Sequence, residues 1–285
     1  VRCWLPYPRT DQARQRDVKF ISASEPEYVF SPQECRHSTL YMEKRAVQGE
    51  PTVFSETFEY TSCGEWHNLR AEDVLPYDTT TALYKEYTAE REKHIVFSLR
   101  LRELAAKLTA GETNPYLKAK RIFRWINDHF PWASAREYST IENIPEYVLD
   151  NRHGDCGQVS LLFITLCRIS GIPAHFQSGF MMHPRAWNLH DWAEVYFEGV
   201  GWVPVDQSFG IPAFARNADE EYFFLGGIDS WRMIVNTDYG MPLVPEKKYP
   251  RSETVDFQRG EVEWEGGNLY FPQWSYHMDI DYLNY

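Results

Sequence analysis

Apolar positions recur along the chain at two different periods, and the change from one to the other divides it. Up to about residue 92 the period is two. Val1–Leu5, Val18–Ser22, Thr39–Glu43 and Thr52–Thr61 read as strands, separated by turns containing Pro, Ser and Asp. Val18 and Phe20 flank Lys19, and Phe54 and Phe58 fall on one side of the fourth run, as a half-buried sheet requires. An N-terminal β-sandwich-like domain over residues 1–92 is expected, as a support, because it holds no chemical motif.

From residue 93 the period lengthens to that of helices. Phe97, Leu101, Leu104, Ala105 and Leu108 share one face before Gly111. Asn114-Pro115 supplies an N-cap and a first-turn proline for a second helix, whose buried stripe is Ala119, Ile122, Phe123, Ile126 and Phe130. A third runs from Cys156 through Val159, Leu162, Phe163, Leu166 and Ile169 and closes at Gly171. Strands then return. Trp192–Phe197 alternates two residue sets, and the turn Gly199-Val200-Gly201 leads to the antiparallel partner Trp202–Val205. Further strands are expected at Tyr222–Leu225, Trp231–Val235, Glu261–Trp264 and Leu269–Phe271, extending the same core sheet. Gly226-Gly227 and Gly266-Gly267 are turn signals, since no helix start follows either pair.

The third helix carries the chemistry. Asp155 is an N-cap type, so Cys156 falls in the first turn, where free N–H groups and the helix dipole favour an anion. Thiols at such positions beside a basic group have pKa values of roughly 3.5 to 7.5, so a reactive thiolate is expected at neutral pH. Cys167, further along the same helix beside Leu166, has no polar context and reads as structural. His190 precedes one strand of the hairpin and Asp206 ends the other, which brings the two together. Cysteine, histidine and aspartate in that arrangement suit a nucleophile, its base and the residue that orients the base.

Four motifs in order, Arg152-His153-Gly154-Asp155-Cys156, Gly171-Ile172-Pro173-Ala174, His190-Asp191-Trp192-Ala193-Glu194-Val195-Tyr196 and Gly201-Trp202-Val203-Pro204-Val205-Asp206, resemble the transglutaminase-like superfamily. The resemblance covers roughly residues 95–225. It implies an α+β fold, with a papain/transglutaminase-like core of helices packed on an antiparallel β-sheet, and places that core with a strand-rich extension in residues 93–285. It also implies Cys156 as nucleophile, His190 as general base and acid, and Asp206 as the residue orienting the imidazole. An indole N–H upstream of the nucleophile stabilises the oxyanion in some members; Trp132 is the candidate here, with Trp125 as the alternative. Gln158 is assigned a supporting place in the cleft. His183, Arg185 and Trp187, on the loop 181–189 that leads into His190, are candidates for substrate contact.

Composition narrows the partners. A net charge of −12 and a pI near 5.3 argue against nucleic acid, which requires a basic footprint. No apolar run reaches the eighteen or so residues of a membrane helix. Histidines and cysteines between His153 and His190 lack the tight spacing of a zinc site, and Asp279-Ile280-Asp281 lacks the glycine and terminal glutamate of a calcium loop; no cofactor is expected. The chain starts at Val1, within a strand pattern, and a removed leader with export to the periplasm or cell surface fits that start. A disulfide between Cys35 and Cys63 is then an option. The expected reaction is attack of Cys156 on an amide in a peptide or peptide-like substrate, through a thioester, with hydrolysis favoured. The alternatives are a protein-glutamine transamidase, which would crosslink, and a non-catalytic binding protein on the same fold.

Overall fold

The computed structural model describes residues 1–134 and 136–283. In chain order the N-terminal part contributes β1 (Arg2–Pro6), β2 (Gln15–Ala23), β3 (Tyr28–Phe30), β4 (Thr39–Glu43), β5 (Glu56–Ser62) and β6 (Glu65–Trp66). Helices α1 (Ala82–Tyr87), α2 (Leu99–Leu108), α3 (Pro115–His129), α4 (Ile144–Asn151) and α5 (Cys156–Ile169) follow. Then come β7 (Ala174–Met181), β8 (Asn188–Phe197), β9 (Gly201–Val205), α6 (Ala218–Glu221), β10 (Gly227–Ile228), β11 (Arg232–Asn236), β12 (Glu261–Trp264) and β13 (Gly267–Leu269).

The central sheet is antiparallel, in the order β11-β7-β8-β9. Ala174 and Phe176 of β7, Ala193, Val195 and Phe197 of β8, and Val203 and Val205 of β9 point to one face. They form a single apolar core with Val159, Leu162, Phe163 and Leu166 of α5. Helices α2 and α3 close the other side of α5 through Leu101, Ala105, Ala119, Ile122, Phe123 and Ile126. Local signals fix the helix starts: Ser98 caps α2, Asn114 caps α3 ahead of Pro115, and Asp155 caps α5. Because helices cover α5 on one side and the sheet covers it on the other, nearly all of it is buried. That explains why its apolar stripe is broader than an amphipathic helix needs.

The N-terminal sheet, in the order β13-β12-β1-β4-β3, draws on both ends of the chain. On one face Leu40 and Met42 pack against the β2–β5 ribbon through Phe20 and Phe58. On the other, Trp4 and Tyr41 meet Phe180, Met233 and Val235 of the central sheet. The expectation that the tail would extend the core sheet is therefore corrected in part. Arg232–Asn236 does so, whereas Glu261–Trp264 and Gly267–Leu269 pair with β1 and with each other. The boundary expected near residue 92 does not coincide with the sheets, since β1 lies between β4 and β12.

Tyr222–Leu225 is not a strand. Helix α6 ends just before it at Glu221 and a turn follows, with only Leu225 bridging Val205, because Asn217 caps a helix whose first turn is Asp219-Glu220-Glu221. The five cysteines are free thiols, so Cys35 and Cys63 are not joined. Among the described residues no helix is long and apolar enough to cross a membrane.

Candidate active site

Helix α5 begins at Cys156. The Asp155 side chain accepts from the Gln158 N–H at 3.1 Å, and Gln158 Oε1 accepts from the Asp155 N–H at 3.3 Å. This reciprocal capping box fixes the first turn and thereby the thiol. Gln158 is fully buried in that role, with its carbonyl oxygen committed to the cap, and its Nε2 makes no hydrogen bond. Its assignment to the substrate cleft is accordingly replaced by a structural one.

His190 lies inside β8, rather than ahead of it, opposite Gly179 of β7. His190 Nε2 is 2.7 Å from Asp206 Oδ2, as the hairpin pairing predicted. Asp206 is completely buried and held on every side: Arg232 Nη2 donates to Oδ2 at 2.9 Å, while the Phe209 N–H at 3.1 Å and the Ser208 hydroxyl at 3.2 Å donate to Oδ1. Burial pushes the Asp206 carboxyl up, but the imidazole, the Arg232 guanidinium and the Phe209 N–H outweigh it and hold it below its ordinary range. The Phe209 ring stands edge-on to His190 at 5.3 Å. With Nε2 engaged by Asp206, Nδ1 is the imidazole nitrogen left for proton exchange.

Successive residues of β8 alternate faces, so Asp191 joins Ala193 and Val195 on the α5 side, while His190 is in line with Trp192. The Cys156 thiol donates to Asp191 Oδ2 at 3.3 Å. Among the described residues no hydrogen bond joins the thiol to the imidazole.

The expectation of a depressed thiol pKa is overturned. Burial first, then the Asp191 and Asp155 carboxyls, push the Cys156 thiol well above its ordinary value, against the opposing pull of the Asp191 backbone N–H. Asp191 is itself displaced far upward, by burial first, with Asp256 and Asp155 adding to it.

Of the remaining candidates, Trp132 bridges Gly154 in parallel and is 59% exposed, an indole beside the nucleophile loop. Trp125 packs against His129 and Phe130 on α3. His183 stacks on Phe209 with ring centres 6.4 Å apart and lies 3.7 Å from Asp229, two contacts from His190. Trp187 is half-exposed on the loop before β8, and Arg185 occupies a left-handed turn there. Sequence reasoning missed four residues of the site: Asp191, Tyr138, Gln258 and Arg232. Only Arg232 left a signal, a lone cation in the apolar run Trp231–Val235.

Residues 102–207 match the family model described as the transglutaminase-like superfamily. Among curated proteins, the uncharacterized protein YebA of Bacillus subtilis is 27% identical over 158 residues, covering 47% of this chain and 21% of YebA. An uncharacterized protein of Haemophilus influenzae is 23% identical over 239 residues, covering 72% of this chain and 63% of that protein. The chain thus spans about a fifth of one relative and less than two thirds of the other. Among solved structures, a candidate cysteine protease from Cytophaga hutchinsonii superposes with a TM-score of 0.57 at 19% identity, covering 83% of this chain and 75% of that one. The periplasmic domain of TgpA from Pseudomonas aeruginosa gives 0.41 at 15% identity, covering 78% of this chain and 69% of that one. The first likeness is one of fold: a transglutaminase-like arrangement of helices on an antiparallel sheet, with an N-terminal β region.

Proposed function

From the place of residues 102–207 in the transglutaminase-like superfamily, we propose that the chain is a thiol-dependent enzyme that cleaves an amide bond of a peptide or peptide-like substrate. The observation that carries this reading is the buried His190–Asp206 pair, clamped by Arg232, together with a cysteine at the first position of a buried helix. Asp206 fixes the imidazole tautomer with the proton on Nε2, which leaves Nδ1 to take the thiol proton. The S–H bond breaks and the proton moves to Nδ1. The sulfur then attacks the amide carbonyl, and His190 returns the proton to the leaving amine. The N–H groups at the start of α5 offer the developing oxyanion its donors, with the exposed Trp132 indole as a further one. Water then resolves the thioester.

The neutral resting thiol implies that the thiolate–imidazolium pair forms with substrate in place. Hydrolysis is favoured over crosslinking because water is present at about 55 M, and transamidation requires a site that excludes it. Export to the periplasm or cell surface is proposed as the setting.

The test is a peptide library incubated with the protein and with Cys156→Ala in the presence of a fluorescent primary amine. New peptide termini that depend on Cys156, without amine incorporation, are expected. Amine attached to glutamine would make the chain a transamidase, and neither product would favour a binding role.

A further inference from the structure

The thiol of Cys156 is the end of a hydrogen-bonded chain that runs away from His190. Cys156 Sγ is 3.3 Å from Asp191 Oδ2, and Asp191 Oδ2 is 3.3 Å from the Tyr138 hydroxyl. That hydroxyl is 2.6 Å from Asp155 Oδ1, which also accepts from the Gln158 N–H. The other oxygen of Asp191 is held by Gln258 Nε2 at 2.7 Å, and the same amide donates to the His190 carbonyl at 2.9 Å. Residue 157 leaves room for the junction. A Cβ on Gly157 would stand 2.7 Å from Asp191 Oδ2 and would also run into the Tyr138 ring, so the chain requires glycine there.

These contacts admit a definite proton order. Asp155 caps the helix and is the acceptor end, so Tyr138 donates to it. The oxygen of Tyr138 is then free to accept from Asp191. The remaining lone pair on Asp191 Oδ2 accepts the thiol proton. A carboxylic acid at position 191 satisfies every contact, because it donates once to Tyr138 and accepts once each from Gln258 and Cys156.

We propose that Asp191 is a further catalytic residue, a carboxylic acid that binds the Cys156 thiol at rest and must release it before Sγ gives its proton to His190. The inference rests on the reading of Cys156 as nucleophile and His190 as base. The proton passes from Sγ to His190 Nδ1, one S–H bond breaking and one N–H bond forming, and Asp191 neither gains nor loses a proton. The titratable groups facing Asp191 are Tyr138 before α4, Asp155 and Cys156 at the start of α5, and Asp256 before β12, which in turn feels Arg259 and Arg251, while the strand neighbour His190 points to the other face. The uncharged Gln258 comes from that same segment.

Asp191→Asn keeps the size and the Gln258 contact, but presents an N–H to the sulfur where an acceptor stood. Labelling of Cys156 by iodoacetamide, followed against pH by peptide mass spectrometry, is expected to be at least roughly tenfold faster in Asp191→Asn than in the parent near pH 7, a fall of about one unit in the thiol midpoint. His190→Ala in the same assay tests the underlying reading separately, with slower labelling expected. An Asp191→Asn profile that coincides with the parent, while His190→Ala slows, overturns the role of Asp191 and leaves the Cys–His reading standing. The reverse pattern keeps the role of Asp191 and removes the pair. Should Asp191→Asn not fold, Tyr138→Phe carries the test: loss of the acceptor for the Asp191 proton is expected to speed labelling several-fold near pH 7, and an unchanged rate overturns the inference. A thiolate absorbance that depends on Cys156 in the unmodified protein at pH 7 would overturn it as well.

Discussion

At the scale of single residues, carboxyls with opposite displacements meet around one histidine. Asp206 is held ionised, since its burial is outweighed by His190, Arg232 and backbone donors. Glu253 and Asp256, in the segment that leads to Gln258, make no ion pair among the described residues, and burial outweighs the more distant Arg251 and Arg259. Glu253 is pushed up to about 8 and Asp256 to about 6. Unfolded, both groups titrate at roughly 4. Between those limits the folded protein binds more protons than the unfolded chain, so stability falls as pH rises. The contribution is fully present below about pH 4 and is lost through the folded values of about 6 and about 8. Asp206, with its depressed value, acts in the other direction, and its contribution goes as pH falls through the folded value. Thermal unfolding followed from about pH 5 to about pH 8.5 should therefore show a falling midpoint, and Glu253→Gln should flatten the upper part of that fall. A midpoint that rises across the range would contradict the assignment.

At the scale of elements, the start of α5 and the strand β8 are fitted to each other through the missing side chain of Gly157. Gly157→Ala places a methyl against Tyr138 and Asp191 in a site with no spare volume. Overpacking of this kind costs about 1–3 kcal/mol. Urea unfolding should show that loss, and iodoacetamide labelling of Cys156 should change with it, since the methyl parts the thiol from Asp191. Unaltered stability and labelling would mean that the helix start is looser than its contacts imply. The same junction shows what was legible in the sequence. The Asp155 cap, the helix from Cys156 and the His190–Asp206 pairing all follow from local periodicity and turn chemistry, which act within a few residues. Asp191 stood in plain view beside His190, but strand alternation sent it to the α5 face, where its partners Tyr138 and Gln258 come from 53 and 67 residues away. No local pattern carries such a pairing. The low thiol pKa expected of a helix start failed for a related reason: the dipole is a local property, and burial is a tertiary one.

At the scale of the whole molecule, the N-terminal sheet and the site share one segment. Strand β12 pairs with β1, Cys3 opposite Val262, and the chain immediately before it carries Asp256 and Gln258 to the back of Asp191. Trp4 is the anchor of this arrangement. It is fully buried, donates from Nε1 to the Pro245 carbonyl at 2.8 Å, and sits under the Lys247 ammonium that pairs with Glu261 and Glu263. Its other neighbours, Phe180, Met233 and Val235, belong to the central sheet. Trp4→Ala should cost about 3–5 kcal/mol through the cavity left behind. Because the sheets share a core and the residues 245–261 join them, the loss should appear as one shifted transition. Denaturant unfolding read by near-ultraviolet circular dichroism and by Cys156 labelling should give coincident midpoints in both proteins. If Cys156 stayed protected after the signal of the N-terminal sheet was lost, the two regions would be separate folding units. The hold of Gln258 on Asp191 would then be independent of β1, and the site would not depend on the N-terminal sheet for its geometry.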